Sequence, residues 1–374
     1  DLNVPLKDKK IQDFTRITLA LPFIKDLIKK KAKIIIISHL GRPKGSKVSE
    51  LSLIPVYKFL KEQLKSNLFF FMGNIDEEIK SKCSYLKEGE IILLENIRFS
   101  KGESENDDVL AKKLASLGDI YINDAFSCSH REQASIHKIT KYIQESYAGP
   151  LLKKEVEAIN LVIKNKKEPV TCIIGGSKIS TKINVISNLI KNVNNIVIVG
   201  AMANNFLAFK GFKIGKSLLE ENSNKIINEI YAKAQQNNCN IIIPEDCNVS
   251  TSFEGAGTAK TKDGINNNEI ILDIGPKTIK NIENIIDQSN TVLWNGPAGY
   301  FENQNFIAGT LAIANKISKN TSNKSLVSIL GGGDTIAAIN KSNEKFTFTH
   351  LSTAGGAFLE FLEGKDLPGL NVLK

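Results

Sequence analysis

Short runs of β-branched and aromatic residues alternate with stretches of helical period along the whole chain. KIIIIS (33–38), LFFF (68–71), EIILLE (90–95) and DIYIND (119–124) read as strands. The four consecutive isoleucines at 34–37 specify a strand covered on both faces, since a half-exposed strand would alternate apolar with polar. Between these runs lie amphipathic patterns such as Ser52 to Leu64 and VLAKKLASLG (109–118). This alternation predicts β-α-β units and therefore parallel sheets covered by helices. A longer helical pattern, GPLLKKEVEAINLVIKN, runs from Gly149 to Asn165, and Pro169 closes it. A second series of strands follows: VTCIIGG (170–176), NIVIVGAMA (195–203), NIIIPED (240–246), EIILDIGP (269–276), TVLWNGP (291–297), SLVSILGGGDT (325–335) and TFTHLSTAGG (347–356).

A chain of 374 residues exceeds what one core comfortably serves. The expected architecture is α/β, with two doubly wound, Rossmann-like parallel-sheet domains facing a cleft. Their bounds are expected at 1–149 and 167–355, with a connecting helix over 150–166. No short repeat period is present, and Asn-rich stretches such as Asn266 to Asn268 read as turns. The chain opens DLNVPLKDKK, without an apolar leader, and no segment approaches the roughly 20 apolar residues of a membrane span. A cytoplasmic protein with no membrane association is expected. Cys83, Cys128, Cys172, Cys239 and Cys247 are scattered without CxxC pairs, which argues for buried, inert thiols over disulfides or zinc ribbons.

The net charge of +9 raises a nucleic-acid-binding reading. The lysines, however, are spread over many helix faces (Lys29 to Lys31, Lys112, Lys113, Lys166, Lys167), so a solvated basic surface is expected instead. The arginines carry more information, because only four occur among 49 basic residues, at Arg16, Arg42, Arg98 and Arg131. Where lysine is the default cation, an arginine marks a place that needs a planar fork for carboxylate or phosphate.

Ligands of open parallel sheets bind beyond the carboxyl ends of the strands. In the first half those exits read HLGR (39–42), ENIRF (95–99) and NDAFSCSHR (123–131), with Arg16 opening the helix after the first strand. This placement predicts that four guanidiniums and the imidazoles of His39 and His130 line one wall, suited to a small polyanion. In the second half the exits are rich in glycine: GGSK (175–178), VGAMA (199–203), DIGP (273–276), NGPAG (295–299), GGGDT (331–335) and STAGG (352–356). Glycine lets main-chain amides approach phosphate oxygens, and a following helix adds the positive end of its dipole. Asp334 stands where it could hold Mg²⁺. A nucleotide site is therefore expected in the second domain. One anion wall and one nucleotide wall together imply a two-domain kinase acting on a small acid, because phosphoryl transfer rests mainly on alignment and charge neutralisation.

Several motifs argue for other classes and are discounted. GFKIGKS (211–217) has one residue too few between its glycines for a P-loop and follows a helical stretch. GGGDTI lacks the third small residue of a dinucleotide fingerprint, which demotes a nicotinamide dehydrogenase. His137 and His350 read as packing or surface histidines.

DLNVP, DFTRI, SHLGRPKG, LLENIRF, NDAF followed by HR, GGSKISTKI, WNGPAGYFE, GGGDT and HLSTAGG stand in the order found in phosphoglycerate kinases. The chain resembles that family from Asp1 to the closing LPGLNVLK. The resemblance implies reversible phosphoryl transfer between 1,3-bisphosphoglycerate and ADP, giving 3-phosphoglycerate and ATP, with Mg²⁺ as cofactor, hinge closure of the two domains, and a monomer. It implies that Asp1, Asn3, Arg16, His39, Leu40, Gly41, Arg42, Arg98 and Arg131 bind the phosphoglycerate. Lys182, Gly275, Glu302, Gly331, Gly332, Gly333, Asp334 and Thr335 would contact the nucleotide, Glu302 at the ribose and Asp334 at the metal. Arg16, Lys178 and Lys182 would act on the transferring group, and a tail over 356–374 would return to the first domain. If the acid pocket were altered, a nucleotide-binding protein without this turnover would remain; a basic nucleic-acid-binding protein is the other alternative. The chain departs from the family pattern in three places: it opens at the DxN motif without the usual lead-in, it has Val199 and Ala201 where a GGGMA run is usual, and Ala354 replaces a glycine of STGGG. Alanine keeps its N–H but admits fewer backbone angles.

Overall fold

The computed structural model describes residues 1–342 and 344–374. Two compact units form, Asp1–Lys154 with Asp366–Lys374, and Glu155–Lys365.

The first unit is built on three parallel strands, with Ile91–Leu94 between Ile34–Ile36 and Leu68–Phe71. Every residue of Ile91–Leu94 is buried, and alternate side chains serve opposite layers. Ile91 and Leu93 pack with Ile17, Leu21, Val56 and Leu60 from the helices Thr15–Lys29 and Ile54–Leu64. Ile92 and Leu94 pack with Ile79, Leu110 and Leu114 from Glu77–Ser84 and Asp108–Ala115. The continuous apolar run is thus explained by helices on both faces.

Two expectations need correction here. DIYIND does not extend that sheet; Ile120–Asn123 pairs in parallel with Glu145–Ala148 as a separate ribbon. Residues 1–5 form no strand. The first pairing is the small antiparallel hairpin of Leu6–Lys7 with Lys10–Ile11, because Asp8 and Lys9 both adopt positive φ and reverse the chain.

The second unit holds a six-stranded parallel sheet in the order Asn240–Ile242, Asn195–Ile198, Val170–Ile174, Thr291–Asn295, Val327–Gly331, His350–Leu351. Numbered along the chain this is 3-2-1-4-5-6, the doubly wound order, with its switch point between Val170–Ile174 and Thr291–Asn295. Both switch-point strands are buried throughout. EIILDIGP lies outside this sheet. Ile270–Ile274 pairs antiparallel with Asp246–Ser250, which also pairs with Thr258–Thr261, in a separate three-stranded sheet. NIIIPED accordingly divides at Pro244, which has no N–H to continue a ladder.

The connecting helix is Pro150–Ile163, and the Asp124 carboxylate caps it by accepting from the Leu151 and Leu152 amides at 2.7 and 3.0 Å. The closing segment divides as well. Gly356–Leu362 stays in the second unit, where Asn188 donates to the Leu362 carbonyl at 2.8 Å. Only Asp366–Lys374 joins the first unit, held by Asn123 to the Gly369 carbonyl at 3.1 Å and by the Gly369 amide to Ser129 at 2.8 Å.

Leu293 is fully buried in the central strand beside Trp294, the single tryptophan of the chain. Leu293→Ala should destabilise the second unit by about 2–5 kcal/mol, read as a lower urea midpoint of Trp294 fluorescence; a loss under about 1 kcal/mol would mean that the sheet is not sealed there.

Candidate active site

The acid wall is assembled from strand exits. After Ile34–Ile36 the chain runs through Ser38, His39, Leu40 and Gly41; after Ile91–Leu94 it enters a short turn, Ile97–Phe99, carrying Arg98. Asn96 ties these two exits together, its amide donating to the Leu40 carbonyl at 2.7 Å and the Leu51 carbonyl at 2.9 Å. Arg98 is buried and donates to the Gly41 carbonyl at 2.9 Å and to Gln133 at 3.4 Å. Arg16, at the second position of Thr15–Lys29, donates to Asp1 Oδ2 at 2.8 Å and to the Asn3 carbonyl at 3.0 Å. The Asn3 side chain accepts from the Gly41 amide at 3.0 Å, and the Leu2 amide donates to Ser38 Oγ at 3.0 Å. The first residues are therefore pinned across the exits by side chains, not by strand pairing. Arg131 donates from Nε to His130 Nε2 at 3.1 Å, while Arg42 is exposed.

The charges of these groups reach one another. Burial, then the charges of Arg98, Arg16 and Arg131, push the His39 imidazole down to about 2. Burial lowers Arg98 too, with Arg131 and Arg42 adding repulsion against the attraction of Glu103. Three guanidiniums thus act on a neutral imidazole, and the fourth, Arg42, acts on Arg98. Sequence reasoning did not single out Asn96, Gln133, Ser38 or Ser127 for this wall. Asn96 lies within the quoted ENIRF, but nothing in its pattern says that it braces two carbonyls.

The second unit gathers its glycine exits at the switch point. Gly296 has φ +101°, and a Cβ there would lie 2.3 Å from the Gly175 carbonyl oxygen, so the two exits touch main chain to main chain. The Gly175 amide donates to the Asn295 carbonyl at 2.8 Å. Thr335 bridges the next exit, Oγ1 accepting from the Gly296 amide at 2.7 Å and donating to the Gly331 carbonyl at 3.1 Å. Gly332 at φ +106° opens the helix Gly333–Asn340, and a Cβ there would meet the Asn295 amide at 2.9 Å. Lys182 Nζ donates to Asn295 Oδ1 at 2.5 Å; burial lowers this ammonium, while the charges of Asp334 and Glu363 support it. Gly333, Asp334, Lys178 and Glu302 are exposed.

Gly275 is at a different kind of exit, closing the antiparallel Ile270–Ile274 and capping the helix Pro276–Asp287. A Cβ at Gly275 would lie 2.3 Å from Asp246 Cγ, whose carboxylate accepts from the Lys277 and Thr278 amides at 2.9 and 2.8 Å. Of the three unusual positions near these exits, Ala201 accepts from the Asn204 amide at 3.1 Å and the other two are buried. Val199 is packed in the core with its amide on the Ile174 carbonyl at 2.9 Å, and buried Ala354 donates to Ser352 Oγ at 3.2 Å. GFKIGKS lies in a loop, with the Lys216 amide on the Glu269 carbonyl at 2.7 Å. His350 pairs with Glu155 at 2.9 Å, and His137 meets Asn106 at 3.2 Å.

A doubly wound sheet with glycine exits at its switch point, in a chain whose other unit carries a guanidinium wall, defines the class: a two-domain α/β phosphotransferase. The family model for phosphoglycerate kinase matches residues 1–365. The phosphoglycerate kinase of Wolbachia pipientis wMel is 44% identical over 376 residues, covering 100% of this chain and 94% of the relative. That of Rhizobium meliloti (strain 1021) is 42% identical with the same coverage, 100% and 94%. Among solved structures, phosphoglycerate kinase from Coxiella burnetii aligns with a TM-score of 0.90 at 41% identity over 100% of this chain and 94% of that one. The Pyrococcus horikoshii OT3 enzyme aligns at 0.81 and 29% identity, again over 100% and 94%. The chain belongs to the phosphoglycerate kinase family. It is a kinase of glycolysis that transfers a phosphoryl group reversibly, which disfavours the nucleic-acid-binding and turnover-free alternatives. Among the described residues no helix is long and apolar enough to cross a membrane.

His39 should remain neutral across the range in which an exposed histidine titrates, about pH 5 to 8. Its folded value lies below its unfolded one, so its contribution to stability is complete above about 6.5 and declines as pH falls below that. NMR of the His39 ring should show no midpoint between those limits; a midpoint near 6.5 would place the imidazole in solvent.

Proposed function

We propose that Asp1, Asn3, Arg16, His39, Leu40, Gly41, Arg42, Arg98 and Arg131 bind 3-phosphoglycerate and 1,3-bisphosphoglycerate. ATP and ADP then occupy the switch point of the second unit, against Lys182, Gly275, Glu302 and Gly331 to Thr335. The observation that carries this reading is the convergence of guanidinium charges from separate chain segments: Arg16, Arg98 and Arg131 act on His39, and Arg42 and Arg131 act on Arg98. Structural ion pairing alone gives no reason to gather them, because like charges in a part-buried wall repel.

The acceptor carboxylate is already an anion at neutral pH, so no general base is required. What the chain supplies is position and opposite charge for the transferring group. Arg16 offers a fork whose orientation is held by Asp1 and Asn3, and Lys178 offers an exposed ammonium that can follow the phosphoryl group. Helix N-termini after Gly332 and Gly355 present amides to the developing charge. Direct transfer requires the two substrates to meet, so the reading includes closure of one unit on the other about Pro150–Ile163.

Mg²⁺ fits the second site. Asp334 is an exposed hard-oxygen ligand in the first turn of Gly333–Asn340, and Mg²⁺ is commonly held by one or two carboxylates, substrate phosphates and water. Bound there it would neutralise phosphate charge. The working form is read as a monomer and its place as the cytoplasm, in keeping with a glycolytic reaction.

A coupled assay should show 3-phosphoglycerate-dependent ATP consumption that stops on Mg²⁺ chelation; the absence of turnover would overturn the reading. Arg16→Lys should lower turnover on the order of 10²-fold with nucleotide affinity nearly unchanged, since lysine keeps the charge and loses the fork. Equal turnover would remove Arg16 from the transfer step. Gly332→Ala should raise the KM for nucleotide roughly 10-fold and leave that for the acid alone, measured by varying each substrate in turn; an unchanged nucleotide KM would detach this turn from phosphate binding.

A further inference from the structure

Cys128 differs from the other four cysteines in its surroundings. Cys83, Cys172, Cys239 and Cys247 are buried. Cys128 is also buried, but its Sγ lies 3.7 Å from His39 Nδ1, and that nitrogen lies 3.8 Å from Asp1 Oδ1. The sulfur, nitrogen and oxygen all lie within 4.8 Å of one another. They border a small cavity of about 30 Å³ that is also lined by Ser38, Glu103 and Gln133.

We propose that Asp1 Oδ1, His39 Nδ1 and Cys128 Sγ form a binding site for a soft divalent cation of the Zn²⁺ type. Tetrahedral Zn²⁺ bonds of about 2.0–2.3 Å put ligand atoms about 3.3–3.6 Å apart, so the sulfur–nitrogen edge is within about 0.2 Å of closure and the nitrogen–oxygen edge within about 0.5 Å. The donor set of thiolate, imidazole and carboxylate suits zinc and discriminates against Mg²⁺ and Ca²⁺, which take oxygen. The carboxylate is oriented from its far side, with Oδ2 accepting from Arg16 at 2.8 Å and from Ser127 Oγ. The cation displaces the thiol proton to solvent, and thiolate plus carboxylate then balance its two charges against the neighbouring arginines. The cavity leaves the fourth position to water. Asp1 and His39 also belong to the proposed acid wall, so occupancy by the cation would compete with the acid; that consequence rests on the acid-wall reading, whereas the site itself does not.

Co²⁺ is the probe, because a thiolate ligand gives it a charge-transfer band in the near ultraviolet. Titration of the full chain should show such a band saturating at one equivalent and disappearing when Zn²⁺ is added. Cys128→Ser should abolish the band while keeping the native circular dichroism and the turnover of the parent. His39→Ala, checked for folding in the same way, should weaken Co²⁺ binding at least 10-fold. No band in the parent, a band that persists in Cys128→Ser, or unchanged affinity in a folded His39→Ala would each overturn the site. The absorbance does not involve turnover, so the site stands or falls separately from the kinase reading.

Discussion

A strand buried on both faces has nowhere to place a charged side chain except its end. Ile91–Leu94 in one unit, and Val170–Ile174 with Thr291–Asn295 in the other, are buried along their whole length. Helices cover both sides of these strands, and the polar chemistry of the chain is displaced to the turns that leave them. Arg98 follows such an exit in the first unit, and Lys182 and Asn295 stand at or just behind them in the second; His39, Arg131, Gly332 and Thr335 leave neighbouring strands that are buried only in part. Packing and function are therefore one constraint viewed from two ends of the same strands. Loss of burial along Ile91–Leu94 would misplace Arg98 before it altered any charge.

On the proposed reading the two units meet the same problem, an anion to be held, with different groups. A guanidinium brings full charge and a fixed fork, which suits a small acid whose carboxylate and phosphate must both be oriented. Gathering four of them costs stability by repulsion, which Asp1 beside Arg16 and Glu103 beside Arg98 partly offset. Main-chain amides bring only partial charge, but they need no side-chain ordering and lie where a helix dipole assists them. A polyphosphate carries its own cation, so the second site needs donors that shape more than donors that neutralise.

Much of this was legible in the order of residues. The helical and strand periods place nearly every element, and four arginines in a lysine-rich chain point to one wall. What the pattern does not carry is partnership. EIILDIGP is as apolar as the strands of the parallel sheet, and nothing in its own residues says that it pairs antiparallel with Asp246–Ser250. An opening strand is expected ahead of Arg16; Leu2 and Val4 are buried there, but Ser38 and Arg16 hold that backbone in place of a neighbouring strand. Gly275 was legible as a glycine at an exit, while the reason for it, the Asp246 carboxylate packed against its Cα, depends on a contact between segments about thirty residues apart. Asn96 and Asn295 stay inconspicuous for the same reason: each acts on carbonyls and side chains that only the fold brings near.

His39 shows how far such placement shapes the chemistry. A histidine in a phosphate-binding wall invites the role of a second cation or of a base. Burial and three guanidiniums keep its ring neutral, which removes it from the charge count. As a base it would be poor, because the same surroundings that expel its own proton would resist one arriving from a substrate. The transfer has no need of one, since the accepting oxygen is already ionised. A neutral imidazole can still donate or accept a single hydrogen bond in a fixed direction. In a wall where the arginines supply charge in excess, direction is the property in short supply.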